Sequence, residues 1–227
     1  FSLFTLLITW RMFRETLPAA QRTPRLQPGA MNPFTQILQG IARIEFRALL
    51  GAIFMLNFGL AALQTNFSVF TRDRFGYTAA DNAWVFTFLG LIAALTQGVL
   101  IRKLVPLAGE ERLAWGGGLL AAAGFVFVAT ATGSGMIYAS IVLTALGFGL
   151  AGPSLTGLIS KRASAGEQGV WLGAAQAWAS LTRVAGPAVA GFVYDHLSRS
   201  SPYWTGAVCA LAGAWLAWSA ARGVRSS

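Results

Sequence analysis

Residues 113–132 read LAWGGGLLAAAGFVFVATAT and residues 136–159 read MIYASIVLTALGFGLAGPSLTGLI, and neither stretch contains a charged side chain. A helix needs about 20 mostly apolar residues to cross the hydrocarbon core of a bilayer, which is roughly 30 Å thick. Each stretch is therefore long enough to cross a membrane once. Because only Gly-Ser-Gly separates them, they predict two adjacent spanning helices joined by a tight turn.

The rest of the chain repeats this pattern of long apolar stretches. Six stretches come within a few residues of the required length: Ala48 to Phe70, Ala83 to Ile101, Leu113 to Thr132, Met136 to Ile159, Val170 to Tyr194 and Tyr203 to Ala221. Only 11% of the 227 residues are charged, whereas about a quarter are charged in a soluble protein. The sequence predicts an all-α membrane protein with a six-transmembrane-helix bundle over residues 48–221.

The segments outside the bundle differ in character. Residues 1–13 are mostly apolar and are followed by polar sequence, whereas a signal peptide carries its basic residues before the apolar run. They predict the end of a preceding transmembrane helix. Residues 14–47 are polar and contain four prolines, and they predict a cytoplasmic linker. Residues 222–227 predict a cytoplasmic tail.

The basic residues are distributed unequally between the two sides of the predicted bundle. Of the 17 Lys and Arg, 13 lie on the side that holds residues 14–47, and three lie on the other side. Basic residues are enriched in cytoplasmic loops. We therefore expect both ends of the chain on the cytoplasmic side of a cell (inner) membrane. This placement also accounts for the net charge of +9 through contact with a lipid bilayer, without a nucleic-acid partner.

Arg183 is the basic residue that lies inside a predicted span, roughly 20 Å of helix from its start. A charge at this depth normally faces a partner or a water-filled cavity. Gln176, Ser180, Arg183 and Pro187 follow the spacing i, i+4, i+7 and i+11 of one helix face. We expect this face to line a substrate cavity. The alternative is a structural arginine that binds backbone carbonyls or pairs two helices.

Other polar or aromatic residues inside the spans are further candidates for the cavity lining. Asn57, Gln64, Gln97 and Trp178 are predicted cavity residues. Hydrogen bonds between helices are the alternative role for the polar ones. Two Gly-Pro pairs are predicted helix hinges, namely Gly152 with Pro153 and Gly186 with Pro187, because Gly and Pro are tolerated in membrane helices where neighbours satisfy the freed backbone.

The remaining reactive residues indicate no chemistry. Cys209 and His196 are the only cysteine and histidine, so we expect no disulfide, no metal site and no cofactor, and Cys209 is predicted to pack inside a helix. All eight acidic residues fall in loops or at span ends. With no carboxylate pair or histidine cluster inside the membrane, we expect no catalytic residues and no enzyme activity.

Several motifs resemble those of the major facilitator superfamily, and specifically its drug:proton antiporter group, which includes the tetracycline efflux proteins. Residues 14–18, RETLP, are similar to the polar sequence that often ends helix 6, and residues 183–191, RVAGPAVAG, resemble the Gly-Pro pattern of helix 11. Residues 98–112 stand where the family has the second copy of its helix 2–3 loop motif, without the Asp of that motif. The six spans resemble helices 7 to 12.

The resemblance implies a 12-helix carrier with two six-helix halves, each built of two three-helix repeats, here residues 48–132 and 136–221. It implies proton-coupled efflux of a small-molecule substrate by alternating access, with the cavity between the halves. The partner would be an N-terminal half that precedes this chain and carries the titrating carboxylate. The alternative is a non-transporting multi-pass protein, such as a sensor or an assembly subunit, on the same bundle.

Overall fold

The structure is a computed structural model that describes residues 2–12, 42–164 and 166–223. Its helices are α1 (Ser2–Met12), α2 (Ile44–Phe75), α3 (Ala79–Leu95), α4 (Ile101–Thr130), α5 (Ser134–Arg162), α6 (Gln168–His196) and α7 (Ser201–Gly223), with a π-helical turn at Thr96–Leu100 between α3 and α4. These residues contain no strand. The prediction of an all-α protein is confirmed.

The helical stretch from α3 through α4 contains two of the predicted spans. It is 52 residues long, about 78 Å as a straight helix, but Gly109 interrupts it with φ 78° and ψ 153°. Glycine adopts a positive φ readily because it has no Cβ. We call residues 79–108 the rod and residues 110–130 the return segment. The rod begins beside the end of α2, where Thr71 Oγ1 donates to Asn82 Oδ1 at 2.7 Å.

The prediction of a loop between these two spans was wrong. The sequence suggested that the first span ends at Ile101 and the second begins at Leu113, whereas the helix continues to residue 108 and resumes at residue 110. Arg102 and Lys103 lie within this helix and are exposed. Residues with long basic side chains can lie in a helix at a membrane surface because the charged ends of the side chains reach water. Gly109 alone makes the connection.

Four segments have the length and mean hydropathy of membrane spans: Ile44–Phe75, Ala79–Thr130, Ser134–Arg162 and Ser201–Arg222. Since Ala79–Thr130 folds back at Gly109, these four provide five crossings. Helix α6 has 29 residues, about 43 Å, so it is long enough for a sixth. It is not among the four because its polar side chains lower its hydropathy, and these are the residues predicted to line a cavity.

The packing of the helices shows an internal repeat. Helix α2 packs against α6 and α7. Helix α5 packs against the rod and the return segment, and the return segment also packs against α7. If each of the first three spanning helices is exchanged with its counterpart among the last three, the same set of packed pairs results. This symmetry agrees with two three-helix repeats, in which α2 corresponds to α5, the rod to α6, and the return segment to α7.

The helix ends meet in two groups. At one end of the bundle, Arg162 donates to the carbonyl oxygens of Glu45 at 3.3 Å and Ala220 at 2.9 Å, and Lys161 lies 2.8 Å from Glu110. We call this the basic end; it holds Arg43, Arg47, Lys103, Glu110, Arg112, Lys161, Arg162 and Arg222. At the other end, the rings of Phe70 and Tyr203 pack edge to face. Successive spanning helices therefore begin at opposite ends of the bundle, as expected for helices that cross a membrane in alternating directions.

Candidate functional site on the exposed face of helix α6

Helix α6 lies against α2 in a constant parallel register. The rings of Phe46 and Trp171 stack with centroids 3.9 Å apart, and those of Phe54 and Trp178 pack edge to face at 5.6 Å. Further along, a Cβ added at Gly186 would lie 2.5 Å from the Cβ of Ala61. These three contacts all pair a residue of α2 with one 124 or 125 positions later. The contact fixes which face of α6 is buried and which is exposed.

The face of α6 that turns away from α2 carries the predicted polar row. Gln176, Ser180, Arg183 and Pro187 are all exposed, whereas Thr182, Gly186 and Ala190 on the packed face are buried. Arg183 is the sixteenth of the 29 helix residues, which places it at the middle of the bundle. It makes no hydrogen bond or ion pair with the residues that the structure describes.

Apolar side chains are exposed next to this row and on the far side of the helix. Val184, which follows Arg183, is 77% exposed, and Phe192, nine residues after Arg183 and so on the opposite side, is 61% exposed. The exposed surface of α6 therefore combines one cation, two small polar groups and apolar side chains. Such a surface suits a molecule that has both a polar and an apolar part, because ligand sites are mostly apolar with a few polar groups that fix orientation.

The other predicted polar cavity residues lie on two helices. Gln64 on α2 and Gln97 in the rod are exposed, and Asn57 on α2 is half-buried. The side-chain amide of Asn57 donates to the carbonyl oxygen of Ile53 at 2.8 Å, within its own helix. Because the rod corresponds to α6 in the repeat, Gln97 and Arg183 lie on equivalent helices. The structure does not bring these residues into contact with one another.

The tryptophan and the two Gly-Pro pairs have distinct surroundings. Trp178 is half-buried beside Phe54, and its indole Nε1 is buried without a hydrogen-bond partner among the described residues. Both prolines lie inside continuous helices. Gly186 is packed against α2, whereas nothing lies within 4 Å of a Cβ added at Gly152. A hinge role stays a prediction for each pair.

Sequence reasoning missed the π-helical turn and the contacts at the basic end. Gln97 lies in the turn at Thr96–Leu100 and is exposed, and no sequence pattern signals this turn. The ion pairs Arg43–Glu167 and Lys161–Glu110 had a signal, because each joins residues from two predicted connections on the same side. Every described carboxylate lies at or near a helix end, as Glu167 and Glu110 do.

Comparison with known proteins identifies the family. Residues 1–184 match the model of the Major Facilitator Superfamily. The chain is 31% identical over 170 residues to the tetracycline resistance protein, class D, of Salmonella ordonez, which covers 72% of this chain and 43% of that protein. It is also 30% identical to multidrug resistance protein 1 of Bacillus subtilis over 217 residues, an alignment that covers 93% of this chain and 54% of that protein.

A solved structure shares the fold. The crystal structure of the human organic anion transporter MFSD10 (TETRAN) matches with a TM-score of 0.83 and 23% identity, over 95% of this chain and 55% of that one. The chain thus spans about half the length of the proteins that it matches. The match to the family model and the similarity to these relatives show that this chain belongs to the Major Facilitator Superfamily.

Proposed function

We propose that this chain forms one of two facing halves of a secondary transporter, which exports small amphipathic molecules by alternating access. The observation that carries the proposal is the exposed position of Arg183 at the middle of α6, without a partner in its own bundle. An arginine facing lipid at this depth costs about 2.5–3.5 kcal/mol on insertion scales. Water or a facing protein surface removes this cost.

The half-length match supports a second half as the source of that facing surface. The chain covers 36%, 43% and 54% of three bacterial relatives. In transporters built of repeats, the substrate site lies near the midplane between the repeats, and one repeat moves against the other. A facing half would enclose the exposed surfaces of α6 and the rod, where Arg183 and Gln97 lie at or near mid-membrane.

The substrate class follows from the surface chemistry and from the relatives. The exposed face of α6 offers a guanidinium group beside the exposed apolar side chain of Val184, which suits small amphipathic molecules. The relatives are named as multidrug and tetracycline resistance proteins, which supports export as the direction. Together with the family, these names are in keeping with a protein that moves its substrate unchanged.

We propose that export is coupled to proton entry and that the titrating carboxylate belongs to the facing half. Proton relays in membranes use ionisable residues inside the spans, and the carboxylates of this chain lie in connections or near span ends. Arg183 would hold an anionic group of the substrate or pair with a carboxylate across the cavity. An uncoupler that collapses the proton gradient should stop export, and continued export would contradict the coupling.

The direct test is drug accumulation in bacterial cells that lack their main exporters and express the complete protein. Arg183→Ala should reduce export of tetracycline roughly tenfold or more, because a charge-assisted contact is worth about 1.5–3 kcal/mol. Val208→Ala on α7 changes an exposed apolar residue outside the candidate site and should retain export within about twofold, equivalent to about 0.4 kcal/mol. Normal export by Arg183→Ala at equal membrane amounts would show that Arg183 is dispensable.

A second test concerns the need for two halves. This chain expressed alone should not export tetracycline, since its polar face would have no facing surface. Co-expression with the proposed facing half as a separate chain should restore export if the two halves associate. Full activity of this chain alone in liposomes would contradict the proposal.

A further inference from the structure

A groove runs along the outward face of the helix pair formed by α4 and α7. It has a volume of about 410 Å³ and is lined by Trp115, Leu119, Leu211, Ala214, Trp215 and Trp218. The two helices lie close together at its floor, where a Cβ added at Gly118 would lie 2.8 Å from the Cβ of Ala214. Small residues at the floor and large ones beside it create a channel about 10 Å long along α7.

The groove opens on an apolar surface of the bundle. The exposed residues around it are apolar: Leu119 is 43%, Val208 66%, Leu211 50% and Trp215 62% exposed. The exposed Gln64, Gln97 and Arg183 lie on other helices, namely α2, the rod and α6. In a membrane protein, polar surfaces turn toward other helices or water and apolar surfaces face the acyl chains. The groove therefore faces lipid.

Two arginines lie at one end of this groove. The guanidinium of Arg222 lies 3.9 Å from the centroid of the Trp218 ring. Arg112 is exposed and precedes Trp115 by three residues, so both occupy the same face of α4. The return segment starts at the basic end and α7 finishes there, so both cations lie at the same end of the groove.

We propose that this groove binds an anionic phospholipid, with an acyl chain between the tryptophans and the phosphate between Arg112 and Arg222. Tryptophans are enriched at the membrane interface, and guanidinium groups bind phosphate oxygens with paired hydrogen bonds. Basic pockets between transmembrane helices on the cytoplasmic side bind anionic head groups. The groove combines these three features at the end that carries most of the basic residues.

Charge favours lipid over a second copy of this chain. A two-fold dimer through this face would use the same patch on both subunits. With its axis along the membrane normal, it would bring the arginines of both copies to the same end of one interface. An anionic head group instead supplies the opposite charge. The site also differs from the proposed cavity, because it lies on α4 and α7 and not on α6.

The test uses the complete purified protein in a non-ionic detergent. Phosphatidylglycerol or phosphatidylcholine with brominated acyl chains is added, and quenching of tryptophan fluorescence is measured. Brominated phosphatidylglycerol should quench at about 30-fold lower concentration, since each basic residue near the surface contributes about 1 kcal/mol toward an anionic lipid. Equal quenching by the two lipids would overturn the proposal.

Variants locate the effect in the groove. The double variant Arg112→Gln/Arg222→Gln should lose the preference for phosphatidylglycerol, while Lys103→Gln, an exposed basic residue on the rod at the same end, should keep it. Replacing Trp115, Trp215 and Trp218 by Phe leaves five tryptophans in this part of the protein and should remove the preferential quenching. If Lys103→Gln loses the preference for phosphatidylglycerol equally, general surface charge causes the preference and the proposal is overturned.

The same preparations test the competing occupant. Light scattering should show that the complete protein and its Trp215→Ala variant have the same oligomeric state. If the protein is instead a dimer that Trp215→Ala converts to a monomer, a second copy occupies the groove and the lipid proposal is wrong.

Discussion

Gly186 of α6 lies so close to Ala61 of α2 that a Cβ added to the glycine would come within 2.5 Å of the alanine Cβ. This contact orients the whole helix. With Gly186 turned toward α2, Arg183, three residues earlier, lies about 60° around the helix from it and is exposed. The packing of one small residue therefore determines where the charged residue of the candidate site points.

The first prediction concerns the stability of this contact. Gly186→Ala should destabilise the protein by about 1–3 kcal/mol, because the added methyl group must displace Ala61 or shift a helix. Gly152→Ala is the matched control, since position 152 is also inside a helix but a Cβ there meets nothing within 4 Å. It should be neutral or stabilising by about 0.5–1 kcal/mol. Thermal unfolding of the two purified variants distinguishes them, and equal losses would contradict the close contact.

The second prediction compares two contacts at the basic end. Trp171 is 3% exposed and stacks on Phe46, so Trp171→Ala should cost about 3–5 kcal/mol by opening a cavity. Glu167 pairs with Arg43 at 3.2 Å, but their side chains are 42% and 55% exposed. Glu167→Gln should therefore cost less than about 1 kcal/mol. A larger loss of thermal stability in Glu167→Gln than in Trp171→Ala would reverse this ranking.

The sequence predicted the features that composition and period determine. Uncharged stretches such as residues 113–132 located the spanning helices, and the 3.6-residue period placed Gln176, Ser180 and Arg183 on one face that is indeed exposed. Both follow from local physics, namely the length needed to cross a bilayer and the pitch of a helix.

Features that depend on contacts between distant segments could not be predicted in this way. The rod continues past Arg102 into the first residues of α4, because the bend needs only the positive φ of Gly109. The choice of Gly186 as a packing residue depends on Ala61, which lies 125 positions earlier. Such pairings become visible only when the helices are placed together.

The third prediction concerns orientation in the membrane. Cysteine variants at Gln27 and Thr132, in the complete protein without other cysteines, are treated with a membrane-impermeant thiol reagent. Thr132→Cys should react in intact cells, whereas Gln27→Cys should react only after permeabilisation, because basic residues hold their side of the protein in the cytoplasm. Position 27 lies outside the described residues, and Thr132 is exposed at the end opposite the basic end. Labelling of Gln27→Cys in intact cells would invert the topology.

The central claim is that the exposed face of α6 lines a water-filled cavity, and thiol reactivity tests it most directly. Cys209 is the only cysteine of this chain, so Cys209→Ser in the complete protein, with any other cysteines replaced, gives a suitable background. Arg183→Cys and Val208→Cys are then added separately, since both positions are exposed in the bundle but Val208 lies on the lipid-facing surface of α7. Thiols react as thiolates, which form in water and not in lipid. Arg183→Cys should react with a charged methanethiosulfonate reagent at least about tenfold faster, a difference equivalent to about 1.4 kcal/mol, and equal rates at the two positions would contradict the cavity.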